Sequence, residues 1–240
     1  MKTTLCVLVS VLALGVAAVS AGAQEPAAST AEMEAMDSSV AMSSEMAHDA
    51  HMRMTATRPP SRGDSARVRG LLEEMHRALG KYEDVSVAEA DGFRRFLPGL
   101  KQPLYHYTSW RWALEAAFTF NPDKPTSLLY RERADGSLEL VGAMYTAPAR
   151  ASEDELDARV PLSLFPWHQH VNWCLPPRAE PARWREVRDG MPVFGPRSPI
   201  ATREACEAVG GRFEPRVFGW MVHVSWAAES GHPTTALDRR

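Results

Sequence analysis

The residues between positions 167 and 174 have the types and spacing that could bind a metal ion. They read Trp-His-Gln-His-Val-Asn-Trp-Cys, so polar and bulky side chains alternate. Successive side chains of a β-strand point to opposite faces, which would place His168, His170, Asn172 and Cys174 on one face. Imidazoles two residues apart on a strand stand about 6–7 Å apart at the backbone, close enough to share an ion.

A second alternating segment, residues 220–226, places His223 on one face of its own strand. Pairing of the two strands would bring His223 beside His168 and His170. Three neutral imidazoles with an open coordination position suit Zn, Cu or Fe(II). His106, which lies between two tyrosines, is a fourth candidate ligand. The sequence therefore predicts a transition-metal site formed by these histidines.

Two other hypotheses compete with simple metal binding. A three-histidine centre with an open position can activate water or O₂, which would make the protein a metal-dependent hydrolase or oxygenase-type enzyme. The chain contains no Gly-x-Ser-x-Gly, phosphate-binding glycine loop, dinucleotide fingerprint or His-Glu-x-x-His motif. In the third hypothesis the protein is a non-catalytic envelope interaction domain, and its histidines serve only the fold.

The first residues have the three parts of a secretory signal peptide. Residues 1–4 give a short positive start, residues 5–19 are apolar, and residues 21–23 are Ala-Gly-Ala, the small-x-small pattern of a cleavage site. We therefore expect a signal peptide over residues 1–23, cleavage after Ala23, and a periplasmic or secreted protein. No later stretch is apolar enough to predict an integral membrane span in the mature chain.

The cysteines leave two interpretations open. Cys6 would be removed with the signal peptide, so Cys174 and Cys206 would remain. In an oxidising compartment two thiols are most simply explained by a disulfide, which here would close a loop of about thirty residues. In the alternative, Cys174 is a metal thiolate, because it follows two histidines.

Residues 24–64 differ in composition from the rest of the chain. They are rich in Ala, Ser, Glu, Met and Thr and contain no aromatic residue. Such a segment buries too little apolar surface to offset its ordering entropy, so we predict a disordered tether. Its thioethers and imidazoles are Met33, Met36, Met42, Met46, His48, His51, Met52 and Met54. These ligands favour Cu(I), which would make the tether an auxiliary capture arm; the alternative is a low-complexity spacer.

Residues 65–228 are predicted to fold as one α+β domain, with a mainly antiparallel sheet, packed helices and long Pro-rich loops. A flexible tail over residues 229–240 would follow. Apolar periodicity predicts helices at 65–81, 87–96 and 202–209, a short helix from Ser152, and strands at 126–133, 138–145, 167–174 and 217–226. Residues 110–118 fit either type.

Composition limits the class of partner. Hydrophobic residues make up 45% of the chain and charged residues 24%, which is typical of a globular protein. The net charge of −3 argues against binding to nucleic acid through phosphate contacts. The predicted partner is a metal ion, copper or zinc, with iron as a third option.

Several segments together resemble a broad group of uncharacterised exported bacterial proteins. They are Tyr-His-Tyr at 105–107, Pro-Thr-Ser-Leu-Leu-Tyr at 125–130, the segment 135–145 around Asp-Gly and Leu-Val-Gly, and Phe-Gly-Trp-Met-Val-His-Val at 218–224. The resemblance spans residues 80–228 and implies an exported single domain, with no established activity. In similar sequences the position of Met144 is often acidic, so this chain departs from the pattern there.

Overall fold

The computed structural model of the protein describes residues 49–99 and 101–226. Their ten strands are β1 (Met52–Met54), β2 (Arg94–Arg95), β3 (Tyr105–Thr108), β4 (Ser127–Glu132), β5 (Leu138–Ala147), β6 (His168–Leu175), β7 (Val187–Arg188), β8 (Met191–Pro192), β9 (Arg212–Arg216) and β10 (Trp220–Ser225). The five α-helices in the same ranges are α1 (Asp64–Leu79), α2 (Val85–Ala90), α3 (Trp110–Glu115), α4 (Glu153–Arg159) and α5 (Arg203–Ala208). Short 3₁₀-helices cover Gly80–Glu83 and Pro181–Arg185.

Eight of these strands form one sheet, in the order β1-β6-β10-β5-β4-β3-β2, with β9 paired to β6 beside this path. Every pairing is antiparallel. Strands β7 and β8 form a separate two-stranded sheet. The architecture confirms the predicted α+β class with a mainly antiparallel sheet. None of the described helices is long and apolar enough to cross a membrane.

The main hydrophobic core lies on one face of the sheet. Helix α1 contributes Leu71, Met75 and Leu79 to it, at the spacing that the apolar periodicity predicts. From the strands come Tyr130 and Val222, among others. A second, smaller cluster consists of Leu129, Val141, Met144 and Met221. Since side chains alternate along strands, this cluster occupies the opposite face.

Local sequence signals account for most element boundaries. Ser152 and Glu155 form the predicted capping box at the start of α4. Gly136 has a φ of 83°, which supplies the turn of the β4–β5 hairpin. In the segment 110–118, whose pattern fits a helix or a strand, residues 110–115 form helix α3. The helix predicted over 87–96 is wrong in its second half, because Gly92, with a φ of 94°, ends it and the chain continues as β2.

The end of the predicted disordered tether is part of the fold. Residues 52–54 form β1, which pairs with residues 168–170 of β6. His51 is buried, and its Nε2 lies 2.6 Å from the carbonyl oxygen of Ser198. The prediction of disorder is therefore wrong for residues 49–64. It was based on the small number of apolar residues in this stretch, whereas the stretch is held to the edge of the sheet by backbone hydrogen bonds. The predicted signal peptide, the rest of the tether and the C-terminal tail lie outside the described residues.

A disulfide joins Cys174 of β6 to Cys206 of α5, as the simpler interpretation predicted. Both sulfurs lie in a third cluster of buried residues with Val193 and Phe194. A cysteine in a disulfide has no thiolate to offer, so Cys174 is removed from the candidate metal ligands. The bridge instead attaches α5 to the C-terminal half of β6.

We predict that Cys174→Ala/Cys206→Ala lowers the free energy of unfolding by about 3–4 kcal/mol, because the unfolded chain regains the freedom of a loop of about thirty residues. Urea denaturation of the variant, the wild type and the reduced wild type measures the effect. The reduced wild type is the matched control and should lose a similar amount. Thiol titration of the native mature protein should find no free thiol, and two free thiols would contradict the bridge.

Candidate metal centre

Four histidines meet on the face of the sheet that is opposite to the main core. His106 belongs to β3, His168 and His170 to β6, and His223 to β10. His168 is only 2% exposed, and the other three are half-buried. These are the four residues that the sequence predicts as ligands, and the structure brings all of them together. We call them the four-histidine cluster.

The distances between the rings define the cluster. Nε2 of His106 lies 3.2 Å from Nε2 of His223. Ring centroids are 5.2 Å apart for this pair, 5.1 Å for His168 and His223, and 5.5 Å for His168 and His170. His223 thus contacts a ring from each side, and His168 links it to His170.

The contact between β3 and β10 spans two intervening strands. His106 is in register with Leu129 of β4, which pairs with Gly142 of β5 and, through it, with Ser225 of β10. Three strand spacings amount to about 14 Å, so both imidazoles must lean across the middle of the face. Gly142 permits the close approach of β5 and β10, because a Cβ there would lie 2.5 Å from the carbonyl oxygen of Val224.

These spacings resemble those of imidazoles that share one ion. Two nitrogens bound at 2.0–2.1 Å to a tetrahedral ion stand about 3.3 Å apart, and the centres of their rings about 5 Å apart. The three ring pairs of the cluster lie near these values. These contacts join the rings in pairs. Among residues 49–99 and 101–226, no group of three or more His, Cys, Asp or Glu side chains is already arranged to hold an ion.

Burial keeps the imidazoles neutral. It lowers the pKa of His106 to about 4, against a smaller opposing effect of a hydrogen bond to the backbone of Leu104. The pKa of His168 falls to about 3, and that of His170 to about 4, through burial and then through the neighbouring histidines. The same causes lower the pKa of His223. Neutral imidazole is the form that binds a metal, so no proton has to be displaced at neutral pH.

Two buried ring nitrogens of the cluster have no hydrogen-bond partner among residues 49–99 and 101–226. They are Nδ1 of His170 and Nδ1 of His223. A buried polar atom without a partner costs on the order of 1–3 kcal/mol, so such atoms are rare unless they serve a function. In the tautomer that carries its proton on Nε2, each of these Nδ1 atoms has a lone pair that is held away from water, which fits the requirements of a metal ligand.

The predicted alternation of β6 fails after His170. Asn172 has a φ of 58°, in the left-handed region, and its side chain donates a hydrogen bond to the carbonyl of Ala50. The backbone turn at this position ends the two-residue repeat. Trp173, predicted on the opposite face, consequently lies with its ring 5.0 Å from that of His170. Asn172 and Cys174 do not join the four-histidine cluster, and sequence spacing alone gave no sign of the left-handed residue.

Sequence reasoning did not place methionines at this site. In the sheet register Met52 lies opposite His170, and Met54 lies opposite His168. Met221 is also opposite His168, at its other side. Met144 is opposite His223. The Met-x-Met spacing at residues 52–54 is the one signal that indicated a strand, but it is too short to predict pairing by itself.

Aromatic and aliphatic side chains pack on the same face of the sheet as the four-histidine cluster. Leu104 and Phe218 pack against the small cluster that contains Met144 and Met221. Phe96 contacts Phe218 edge to face, with ring centroids 6.0 Å apart. The segment before β3 and the segment before β10 thus both pack on the small cluster that contains Met144, the cross-strand neighbour of His223.

A cavity of about 700 Å³ lies elsewhere, beside the main core. It is lined by Tyr82, Trp110 and Trp112 together with ion-paired groups such as Lys81 and Asp91. None of the four histidines lines it. Trp110, Leu114 and Phe118, in and just after α3, are 63%, 67% and 80% exposed and form an apolar surface next to it.

Comparison of the chain with protein family models, with curated proteins and with solved structures found no match. The four-histidine cluster is therefore interpreted from its own geometry.

We predict that the metal-free protein loses stability as the pH falls from about 6.5 towards 4. In the unfolded chain each imidazole titrates near 6.5, whereas burial lowers the pKa of His106 and His170 to about 4 in the fold. Between these values the unfolded state binds more protons, so acid favours unfolding. Urea denaturation of chelator-treated protein at pH 7.5, 6 and 5 measures the change.

The control variants for this experiment are His106→Gln/His223→Gln and His76→Gln. The first variant lacks two of the four imidazoles, so its free energy of unfolding should fall less between pH 7.5 and 5 than that of the wild type. His76 lies exposed on α1, so its replacement should leave the dependence as it is. A free energy of unfolding that stays constant between pH 7.5 and 5 in the wild type would contradict the burial of neutral imidazoles.

Proposed function

We propose that the protein is an exported, periplasmic or secreted, metal-binding protein whose ligands are His106, His168, His170 and His223. The metal is copper or zinc, with iron as the third option. The Met- and His-containing segment before residue 49 acts as an auxiliary arm that captures soft metal. The signal-peptide pattern at residues 1–23 supports export.

The observation that carries the proposal is the meeting of four neutral imidazoles, one buried and three half-buried, from three separate segments of the chain. Three strands contribute them, and two of the rings approach to 3.2 Å between Nε2 atoms. Structural histidines usually satisfy their ring nitrogens with backbone or carboxylate groups, whereas two buried Nδ1 atoms here have no partner among the residues that the structure describes. A metal ion would give such nitrogens a function.

The enzyme alternative needs a substrate cavity over the metal, with a carboxylate or another proton-transfer group nearby. The 700 Å³ cavity is lined by Trp110 and Trp112 and by none of the four histidines. Among the described residues, the carboxylate whose charge acts on His170 is that of Asp49, which lies just before β1. The third hypothesis, a non-catalytic interaction domain, would use the exposed surface of α3.

The first test is metal content, measured by mass spectrometry on mature protein purified from periplasm without an affinity tag. We expect close to one equivalent of Cu, Zn or Fe in the wild type and its loss in His168→Ala/His170→Ala. His76→Ala, at an exposed histidine outside the cluster, is the matched control and should keep the metal. His106→Gln/His223→Gln provides a second pair that preserves side-chain volume if the alanine variant does not fold.

Two outcomes would overturn the proposal. In the first, the wild type is metal-free as purified and also binds neither added Cu(I) nor added Zn(II). In the second, metal is present but every histidine variant retains it while folding normally. Either result leaves the four histidines with a purely structural role. The first outcome favours the interaction-domain hypothesis, and the second assigns the metal to ligands outside the cluster.

Removal of the segment before β1 tests the capture arm separately. Deleting residues 24–48 should lower the number of Cu(I) ions bound at saturation, because thioethers and an imidazole are lost, while one tighter site remains in the domain. The deletion stops at 48 because residues 52–54 belong to the sheet. Anaerobic titration with a coloured Cu(I) chelator measures both quantities. Unchanged stoichiometry would assign the segment a spacer role.

A further inference from the structure

The sheet register surrounds the four-histidine cluster with methionines. His168 lies between two of them, since Met54 of β1 is opposite it at one edge of β6 and Met221 of β10 at the other. Residues directly opposite each other on an antiparallel pair share a face, with Cβ atoms about 4.5–5.5 Å apart. Both thioethers therefore project from the same face as the imidazole that is buried most deeply in the cluster.

The same arrangement recurs at the neighbouring histidines. Met52 is opposite His170, and Met144 is opposite His223. Met144 and Met221 are buried and pack in one small cluster, while Met52 is half-buried at the edge of the sheet. Three of the four histidines thus have a methionine as a direct cross-strand neighbour.

The donors available at this face are soft and uncharged. Among the described residues cysteine thiolate is excluded, because both cysteines there, Cys174 and Cys206, form the disulfide. Among the described residues, Asp49 is the carboxylate that acts on His170, where it opposes the lowering of the pKa by burial. Thioether and imidazole ligands select Cu(I), whereas carboxylate and water are the preferred ligands of harder ions.

Electrostatics favours the same ion. The cost of moving an ion out of water rises with the square of its charge, so a buried site without anionic ligands disfavours a divalent ion far more than a monovalent one. Cu(I) would leave a single positive charge at the cluster. Zn(II) would leave two charges, and among the residues that the structure describes no carboxylate or thiolate joins the cluster to balance them.

We infer that the cluster is a Cu(I) site in which Met54 and Met221, on either side of His168, supply thioether ligands in addition to the histidines. This inference rests on the proposed function and deepens it by naming the ion and the sulfur ligands. It assigns a direct role to a methionine of the segment that sequence analysis placed in the tether. Met54 is thereby part of the domain's own site.

The test uses the full mature chain, loaded anaerobically with half an equivalent of Cu(I) so that the tightest site fills first. X-ray absorption at the copper edge should show a sulfur shell together with nitrogen in the wild type. In Met54→Leu/Met221→Leu, which keeps the apolar volume, the sulfur shell should disappear and Cu(I) affinity should fall at least about tenfold. Met75→Leu, in the main core, is the matched control and should change neither.

Zinc affinity separates this inference from the proposed function. Competition with a Zn(II) chelator should give the same affinity, within about twofold, in the wild type and in Met54→Leu/Met221→Leu. A nitrogen-only copper shell, or a sulfur shell that the double variant retains, overturns the thioether ligands and leaves the histidine metal site standing. Failure of the wild type to bind either Cu(I) or Zn(II) overturns the proposed function, and the inference with it.

Discussion

Strand β6 forms backbone hydrogen bonds along both of its edges, and the positions of His168, His170 and their methionine neighbours depend on this. His168 pairs with Met54 of β1 on one side and with Met221 of β10 on the other. His170 pairs with Met52 of β1, and the residues from 171 to 175 pair with β9. A strand that is bonded on both sides cannot slip by one residue without turning His168 to the opposite face, so the register of β1 and β10 fixes where the imidazoles point.

The disulfide and the left-handed residue separate this strand into two halves with different tasks. Before Asn172 the strand presents His168 and His170 to the face of the four-histidine cluster. After it, Cys174 is buried with Val193 and Phe194 and is bonded to Cys206 of α5. The bridge holds the second half of β6 to a helix, and the first half is held by β1 and β10. Strand β6, which carries two histidines of the cluster, is thus fixed by a disulfide in its second half and by backbone pairing in its first half.

The fold class and the identity of the clustered histidines were accessible from sequence because both depend on short-range periodicity. Alternation over 167–174 and 220–226 predicts strands whose imidazoles share a face, and the β4–β5 hairpin follows from its Asp-Gly turn. His106 was harder to place, since it reaches His223 only across two further strands that the sequence does not order. The left-handed conformation of Asn172 and the pairing of residues 52–54 depend on tertiary contacts, so no local pattern indicated them.

The composition of residues 49–64 predicted disorder, whereas residues 52–54 form an edge strand beside the four-histidine cluster. A segment poor in aromatic and branched residues cannot form a core of its own, but it can dock as an edge strand, because the hydrogen bonds of its backbone do not depend on its side chains. Met52 and Met54 then contribute their side chains to a face that already contains buried imidazoles. The register places Met54 opposite His168 and Met52 opposite His170. A methionine in such a segment is indistinguishable by composition from a residue of a spacer, and only the register of the sheet reveals which side chains are its neighbours.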